Sequence, residues 1–170
     1  MHKKIIIAAY GATGKTVFGN KYSNAIDLES SKYKWDNTGY EKLKEEERKG
    51  IARKVDDKWP DNYHQAIVDA LDKYDIVLTS THEHVLKFLE EKQLPYYLAI
   101  PTLDSIDEIT DRCIKRGNNK TFIDILIKTL YYYDKIIDNY NPVKVLRLNK
   151  NEYLEDKLKK ELEIKELLGR

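Results

Sequence analysis

Little in this chain is of the kind that staples or anchors a fold. Its 170 residues include one cysteine, Cys113, which excludes an intramolecular disulfide framework and a cysteine-based zinc site. No stretch approaches the roughly 20 consecutive apolar residues that a membrane helix needs. The apolar run Ile5 to Ala9 behind Lys3 and Lys4 is also too short for a signal peptide, so a reducing, cytoplasmic setting with no membrane partner is expected. Charge of one sign is missing too: 30 Lys and Arg stand against 29 Asp and Glu. A net charge of +1 leaves no electrostatic footprint for duplex nucleic acid, which usually calls for a clear basic excess, while a local basic groove stays open. Phenylalanine is scarce, 3 residues against 13 tyrosines, an imbalance that composition does not explain. What is present, 41% apolar and 35% charged residues, suits one ordinary globular domain large enough to bury a core unaided.

Short apolar runs, the first of them β-branched, alternate with amphipathic stretches along the chain. Lys3 to Ala9, Asn24 to Leu28, Asp75 to Ser80, Pro95 to Pro101 and Val143 to Leu148 read as five strands. The first is apolar after its lysines, as a strand buried on both faces of a parallel sheet must be. Helices are expected from Lys15, from Trp59 to Lys73 with Tyr63, Ile67, Ala70 and Leu71 on one face, and from Glu83 to Lys92 with Val85, Leu86 and Leu89 inward. Two more run from Ser105 to Lys115 and from Lys120 to Asn139. The second carries Phe122, Ile125, Leu126, Thr129, Leu130, Tyr133 and Ile137 at helical spacing. Tyr153, Leu154, Leu158, Leu162 and Leu168 mark a last amphipathic helix. Residues 36–58 break the pattern: Glu41 to Lys49 is nearly all charge between Gly39 and Gly50, and reads as a solvated helix or a mobile insertion. Strands alternating with helices argue for a single α/β domain, a parallel sheet with right-handed crossovers and helices on both faces. Ligands of such sheets bind beyond the carboxyl ends of the strands, here after residues 9, 28, 80, 100 and 148.

Ala9-Tyr10-Gly11-Ala12-Thr13-Gly14-Lys15-Thr16 occupies the first of those positions and matches the Walker A phosphate-loop pattern, with Ala9 in place of the first glycine. Gly11 and Gly14, flanking Ala12 and Thr13, let the backbone curl so that successive N–H groups point inward at phosphate oxygens. Lys15 then reaches the terminal phosphates as a point charge and the Thr16 hydroxyl completes a Mg²⁺ shell, so ATP and Mg²⁺ are the expected cofactors. Arg112 and Arg116 lie four residues apart after the fourth strand, share a helix face and are expected to reach one phosphate chain together, with Lys115 beside them. Asp27 and Glu29 leave the second strand on the same side, where one of them orients an acceptor hydroxyl or a water on Mg²⁺. Ser30 and Ser31 bind an acceptor phosphate or cap a helix, and His82 contacts substrate or starts a helix. Asp75 sits at the wrong end of its strand to touch phosphate, so metal binding rests on Thr16, the nucleotide, water and Asp27. His84 reads as a surface residue and Cys113 as a small packing residue.

The blocks AAYGATGKT, AIDLESSKYKW, WPDNYHQAI, YDIVLTSTHEHV, LPYYLAIPTLDSIDEITDRCIKRGNN and VLRLNKNEYLEDKL, in this order, resemble a family of small bacteriophage and bacterial phosphate-loop proteins described as nucleotide or adenylate kinase-like. The likeness covers nearly the whole chain. It implies the three-layer P-loop NTPase fold of the nucleoside and nucleotide kinases, a five-stranded parallel sheet with a short lid over 104–119 and with 36–58 on the acceptor side. It also implies that Gly11 to Thr16 hold the donor phosphates, that Arg112 and Arg116 are lid arginines, that Asn149 to Tyr153 lie by the donor base, and that Asp27 and Glu29 are the acidic pair after the second strand. The chain departs from true adenylate kinases in lacking their long lid domain and the Asp-Gly-Phe-Pro-Arg block whose arginine clamps a monophosphate. The expected function is ATP-dependent phosphoryl transfer to a small acceptor, a nucleoside monophosphate or related nucleotide. Lys15, Arg112, Arg116 and Asp27 would be catalytic, and Glu29, Ser30 and His82 would bind substrate. A non-catalytic nucleotide-binding regulatory protein, and a kinase acting on nucleic-acid ends or modified bases with Tyr33 and Trp35 as stacking surfaces, stay open beside it.

Overall fold

The structure, a computed structural model, describes residues 4–162 and 164. Lys3 and Leu168, assigned above to the first strand and the last helix, lie outside the described residues. Strand β1 (Ile5–Ala9) passes through the glycine loop into α1 (Lys15–Lys21). Strand β2 (Ala25–Asp27) is followed by α2 (Ser31–Lys34), α3 (Glu45–Arg48) and α4 (Asp61–Lys73). Then come β3 (Ile76–Thr79), α5 (Glu83–Glu91), β4 (Tyr96–Pro101), α6 (Ile106–Lys115), α7 (Lys120–Ile136), β5 (Lys144–Leu148) and α8 (Leu154–Glu161). The five strands form one sheet in the order β2-β3-β1-β4-β5, and every pairing is parallel.

The central place of β1 explains its composition. Its side chains alternate between two cores: Ile6 and Ala8 pack under α4 to α7, while Ile5, Ile7 and Ala9 pack under α1 and α8. Each buried isoleucine contributes about 1.5–3 kcal/mol. Because β3 and β4 flank β1 on opposite sides, the connections diverge there and open a crevice beyond its carboxyl end. Among the described residues no helix is long and apolar enough to cross a membrane.

Three expectations change on contact with the fold. The apolar stripe of α7 is divided: Leu130 and Tyr133 are buried together with Ile123, whereas Ile125 is 56% exposed and, with Phe122, Leu126 and Thr129, faces a cavity. Helical spacing alone does not separate a core wall from a cavity wall. Residues 36–58 are not a solvated helix: α3 has four residues, and the rest runs as loops drawn across the sheet's carboxyl end. Trp35 bridges antiparallel to Val55, with Asp36 N–H donating to Lys54 O and Asp56 N–H to Lys34 O at 2.9 Å each. Asn118 Nδ2 donates to Glu46 Oε2 at 2.7 Å and the Asn119 amide to Lys49 O, fastening the segment to the start of α7. His84 is not a surface residue; its ring meets Trp59 edge-on at 4.8 Å and its Nδ1 lies 3.0 Å from His64 Nε2. The 104–119 stretch is itself packed down, α6 burying Ile109 and Cys113 before Gly117 turns the chain at φ +83°.

Candidate functional site

The glycine loop leaves the sheet after Tyr10, whose N–H still donates to Ala99 O at 3.0 Å. Ala12 and Gly14 take left-handed backbone at φ +58° and +95°, a conformation that costs an alanine about 1–2 kcal/mol and a glycine almost nothing. Thr13 Oγ1 closes the curl by donating to Tyr10 O at 2.6 Å, and Leu154 N–H braces Thr13 O from outside at 2.9 Å. Among the described residues, the six consecutive N–H groups from Gly11 to Thr16 donate to no carbonyl or side chain, and all six residues line the same cavity. Lys15 Nζ folds back over the loop to Ala9 O at 2.8 Å. Burial lowers its pKa, opposed by the carboxylates of Asp27 and Glu29 and reinforced by the positive charges of Lys49 and Arg116.

Behind the loop, Thr16 Oγ1 donates to Asp27 Oδ2 at 2.8 Å, while Asp27 Oδ1 is buried without a partner among the described residues. Burial raises the Asp27 pKa, against the pull of the Lys15 ammonium and the Thr16 hydroxyl. This contact depends on Gly19: a β-carbon there would stand 2.8 Å from Asp27 N, so only glycine lets α1 lie this close to β2. Thr16, Asp27, Glu29 and Glu45 border a small cleft of about 270 Å³. Among the described residues no cluster of His, Cys, Asp and Glu could hold a metal ion by itself.

The main cavity, about 520 Å³, opens beyond the carboxyl ends of β1, β2 and β3. The loop and Lys15 form one end. Leu28 to Ser31, Ser80 to His82, Lys34 with Trp35, the 46–53 segment and the α7 residues form the other walls. Tyrosine hydroxyls tie these walls together. Tyr63 donates to Leu28 O at 2.6 Å and accepts from Ser80 N–H at 3.0 Å, Tyr10 donates to Leu126 O, and Tyr133 donates to Thr81 O.

Of the sequence-predicted residues, Glu29, Ser30, Ser31, His82 and Arg116 all line this cavity with the loop. His82 starts a helix, as the N-cap residue of α5, and also lines the cavity; its Nδ1 sits 2.7 Å from Ser80 Oγ. Burial, with the charges of Lys34 and Lys15 nearby, pushes its pKa down to about 3, so the ring is neutral at neutral pH. Asp27 is outside the main cavity, engaged with Thr16 instead of facing an acceptor. Arg112 and Arg116 do not converge. Arg112 is drawn behind the loop, donating to Ala12 O at 3.1 Å and Glu108 Oε1 at 2.6 Å, with its guanidinium 3.9 Å over the Tyr153 ring. Arg116 follows the last turn of α6 and has no hydrogen-bond or carboxylate partner among the described residues. Lys115 is exposed and lines neither space.

The sequence reading missed Lys34, Lys49 and Arg53, which all face the cavity, and it read Trp35 as a stacking surface only. Their signal was a pair of basic clusters, Lys32-Tyr33-Lys34-Trp35 and Arg48 to Lys54, hidden inside a charge run that reads as solvent-facing. Compared with known proteins, the chain matches no family model and no curated protein, so the reading of this site rests on its own geometry.

Proposed function

We propose that the Tyr10 to Thr16 loop holds the phosphates of a nucleoside triphosphate, ATP, and that the chain transfers the terminal phosphoryl group to a small acceptor in the adjoining cavity, as a P-loop kinase does. The observation that carries this reading is the run of six unpaired N–H groups, with the Lys15 ammonium above them, at the mouth of a cavity of about 520 Å³. Such a concavity of amides and one ammonium is complementary to a polyphosphate chain.

The chain's own groups then divide the work. Lys15 exchanges the carbonyl of Ala9 for a phosphate oxygen and carries positive charge to the group being moved. Arg116, unpaired on the cavity wall, adds a second charge from the opposite side. Thr16 and Asp27 fit a Mg²⁺ that keeps phosphate and water oxygens, because the hydroxyl is adjacent to a carboxylate whose Oδ1 is buried and unpartnered. Bound there, the ion would neutralise charge on the phosphates. Glu29 and the neutral His82 position the acceptor, and the walls from α7 and 46–53 exclude water that would otherwise hydrolyse the triphosphate.

The test is ADP formation from ATP and Mg²⁺ with a panel of nucleosides and nucleotides. Acceptor-dependent ADP is expected, and Lys15→Met should lower kcat/KM by about 10²–10³-fold with an unchanged melting curve. A turnover indifferent to Lys15→Met would remove the loop from the chemistry. ATP binding without any acceptor-dependent turnover would favour a regulatory nucleotide-binding protein.

A further inference from the structure

Of the four residues expected to be catalytic, Lys15, Asp27, Arg112 and Arg116, only Arg112 lines neither the cavity nor the small cleft. Its side chain, 12% exposed, reaches from α6 to the back of the phosphate loop. Nη1 donates to Ala12 O at 3.1 Å, and Nη2 donates to Glu108 Oε1 at 2.6 Å and to Glu152 O at 3.4 Å. The guanidinium lies 3.9 Å from the centre of the Tyr153 ring. That ring packs in turn on the loop at Gly14, where a β-carbon would stand 3.2 Å from Tyr153 Cδ1. Glu108 is itself held, its Oε2 accepting from Asn151 N–H at 2.8 Å.

The contact at Ala12 O matters because of peptide geometry. In a trans peptide the carbonyl and the N–H of the next residue point in opposite directions. A carbonyl held behind the loop therefore turns Thr13 N–H to the cavity side, where it is one of the six unpaired donors. Leu154 N–H acts alike on the next peptide, holding Thr13 O at 2.9 Å and so aiming Gly14 N–H. Ala12 needs such a hold, because at φ +58° it occupies a left-handed conformation that is unfavourable for any residue with a β-carbon. Rotation of the Ala12–Thr13 peptide would present a carbonyl oxygen to the phosphates in place of a donor.

We propose that Arg112 is a positioning residue of the phosphate loop: it fixes Ala12 O behind the loop, keeps Thr13 N–H aimed at the triphosphate, and touches no phosphate itself. This rests on the phosphoryl-transfer reading above, and it gives Arg112 a different role from that of a lid arginine. Lys15 and Arg116 face the cavity and carry the charge that meets the phosphates, whereas the charge of Arg112 is taken up by Ala12 O, Glu108 and the Tyr153 ring.

Calorimetric titration with ATP and with inorganic tripolyphosphate, well below the melting transition of each variant, tests this. Arg112→Met should weaken both ligands by the same factor, about tenfold, since it removes a charged donor from a loop carbonyl. An arginine that stacked on the base would instead weaken ATP and spare tripolyphosphate. Glu108→Gln loosens Arg112 without touching the loop, and should weaken both ligands about threefold, the worth of a partly exposed ion pair. An arginine that bound phosphate directly would be released by Glu108→Gln, and both ligands would then tighten. The proposal is overturned if Arg112→Met moves tripolyphosphate by less than about twofold, or if Glu108→Gln leaves both ligands unchanged or tightens them. Should Arg112→Met not fold, the sign of the Glu108→Gln effect decides alone. Failure of the unaltered protein to bind ATP and tripolyphosphate would instead bring down the phosphoryl-transfer reading, and this proposal with it.

Discussion

Replacing Gly19 by alanine sets two opposing effects against each other, and the structure decides between them. In an exposed helix the change would stabilise, since alanine is about 1 kcal/mol more favourable than glycine in a helix interior. Here the new methyl carbon would stand 2.8 Å from Asp27 N and 3.1 Å from Asp27 Cβ, closer than carbon atoms approach without a shift. The first of these neighbours is backbone in β2, which pairs with β3 at Ala25 to Asp27, so no rotamer change relieves the contact. Overpacking of this kind costs about 1–3 kcal/mol. The net expectation is a loss of about 1 kcal/mol, a fall of about 2–4 °C in Tm for a chain of this size. The shift has a second consequence, because α1 moving off β2 separates Thr16 Oγ1 from Asp27 Oδ2, now 2.8 Å apart. Mg²⁺-dependent binding of ATP should weaken by more than Mg²⁺-free binding. Differential scanning calorimetry and titration of ATP with and without Mg²⁺ measure both effects. An unchanged or raised Tm would refute the close-approach argument, and a Tm loss with equal effects on both titrations would refute the coupling between Gly19 and the Thr16–Asp27 pair.

Tyr63→Phe deletes a hydroxyl that serves Leu28 O and Ser80 N–H in a fully buried position, so urea denaturation should give a loss of about 1–3 kcal/mol. A change within a few tenths of a kcal/mol would mean that the two strand ends do not depend on it. Glu155 ties α8 to α1, its Oε1 accepting from Lys159, Lys21 and Tyr22 at 2.6, 2.7 and 2.5 Å. Burial alone would raise its pKa, but these bonds outweigh burial and hold it at about 2, below the ordinary 4.5. A carboxylate depressed on folding stabilises above its unfolded pKa and loses that contribution as pH falls from about 4.5 towards 2. Allowing for solvent screening, the contribution is about 1–2 kcal/mol, so Glu155→Gln should lower Tm at pH 7 and flatten the acid limb of a Tm-against-pH profile. An acid limb of unchanged steepness would show that the Glu155 bonds do not persist in solution.

The strand and helix order was legible because each strand is a short run centred on apolar residues and each amphipathic face repeats at helical spacing. Burial on both faces of β1 was readable from Ile5 to Ala9, and the position of the glycine loop followed from the rule that strand ends carry ligands. The cavity's far wall was not legible. Residues 36–58 carry no periodicity, and their fold depends on tertiary bonds such as Asn118 to Glu46 and Asn119 to Lys49 O, which span some 70 residues of sequence. The Arg112 and Arg116 pairing failed for a related reason. Spacing four residues apart gives a shared helix face only while the helix lasts; Arg116 stands at the C-cap of α6, and Arg112 is claimed by Glu108 within its own helix. Helix spacing predicts neighbours, but the partners on adjoining elements decide where long cationic side chains end.

Tyrosine usage and the balance of charge both follow from the way the cavity is built. Seven of the 13 tyrosines, Tyr10, Tyr22, Tyr63, Tyr96, Tyr132, Tyr133 and Tyr140, donate their hydroxyls to a carbonyl or a carboxylate. Three of these tie down main-chain oxygens around the cavity, at Leu28, Thr81 and Leu126. Phenylalanine would fill the same volume and leave the Leu28 and Thr81 oxygens without these donors in a buried wall, a cost of about 1–3 kcal/mol each, while Leu126 O lies inside α7 and would lose a second donor. A strand-end cavity therefore favours the phenol over the phenyl ring. Net charge is uninformative for a comparable reason. Screening confines a surface charge to about 8–10 Å, so distant carboxylates do not cancel a local field. Many of the acidic residues are spent on ion pairs away from the cavity, such as Glu155 with Lys21 and Glu161 with Lys144 and Lys157. Lys34, Arg53 and Arg116, which have no carboxylate partner among the described residues, are left facing the cavity. A chain with a net charge of +1 can thus present a strongly cationic interior surface, and anion binding is governed by which lysines and arginines remain unpaired, not by their total.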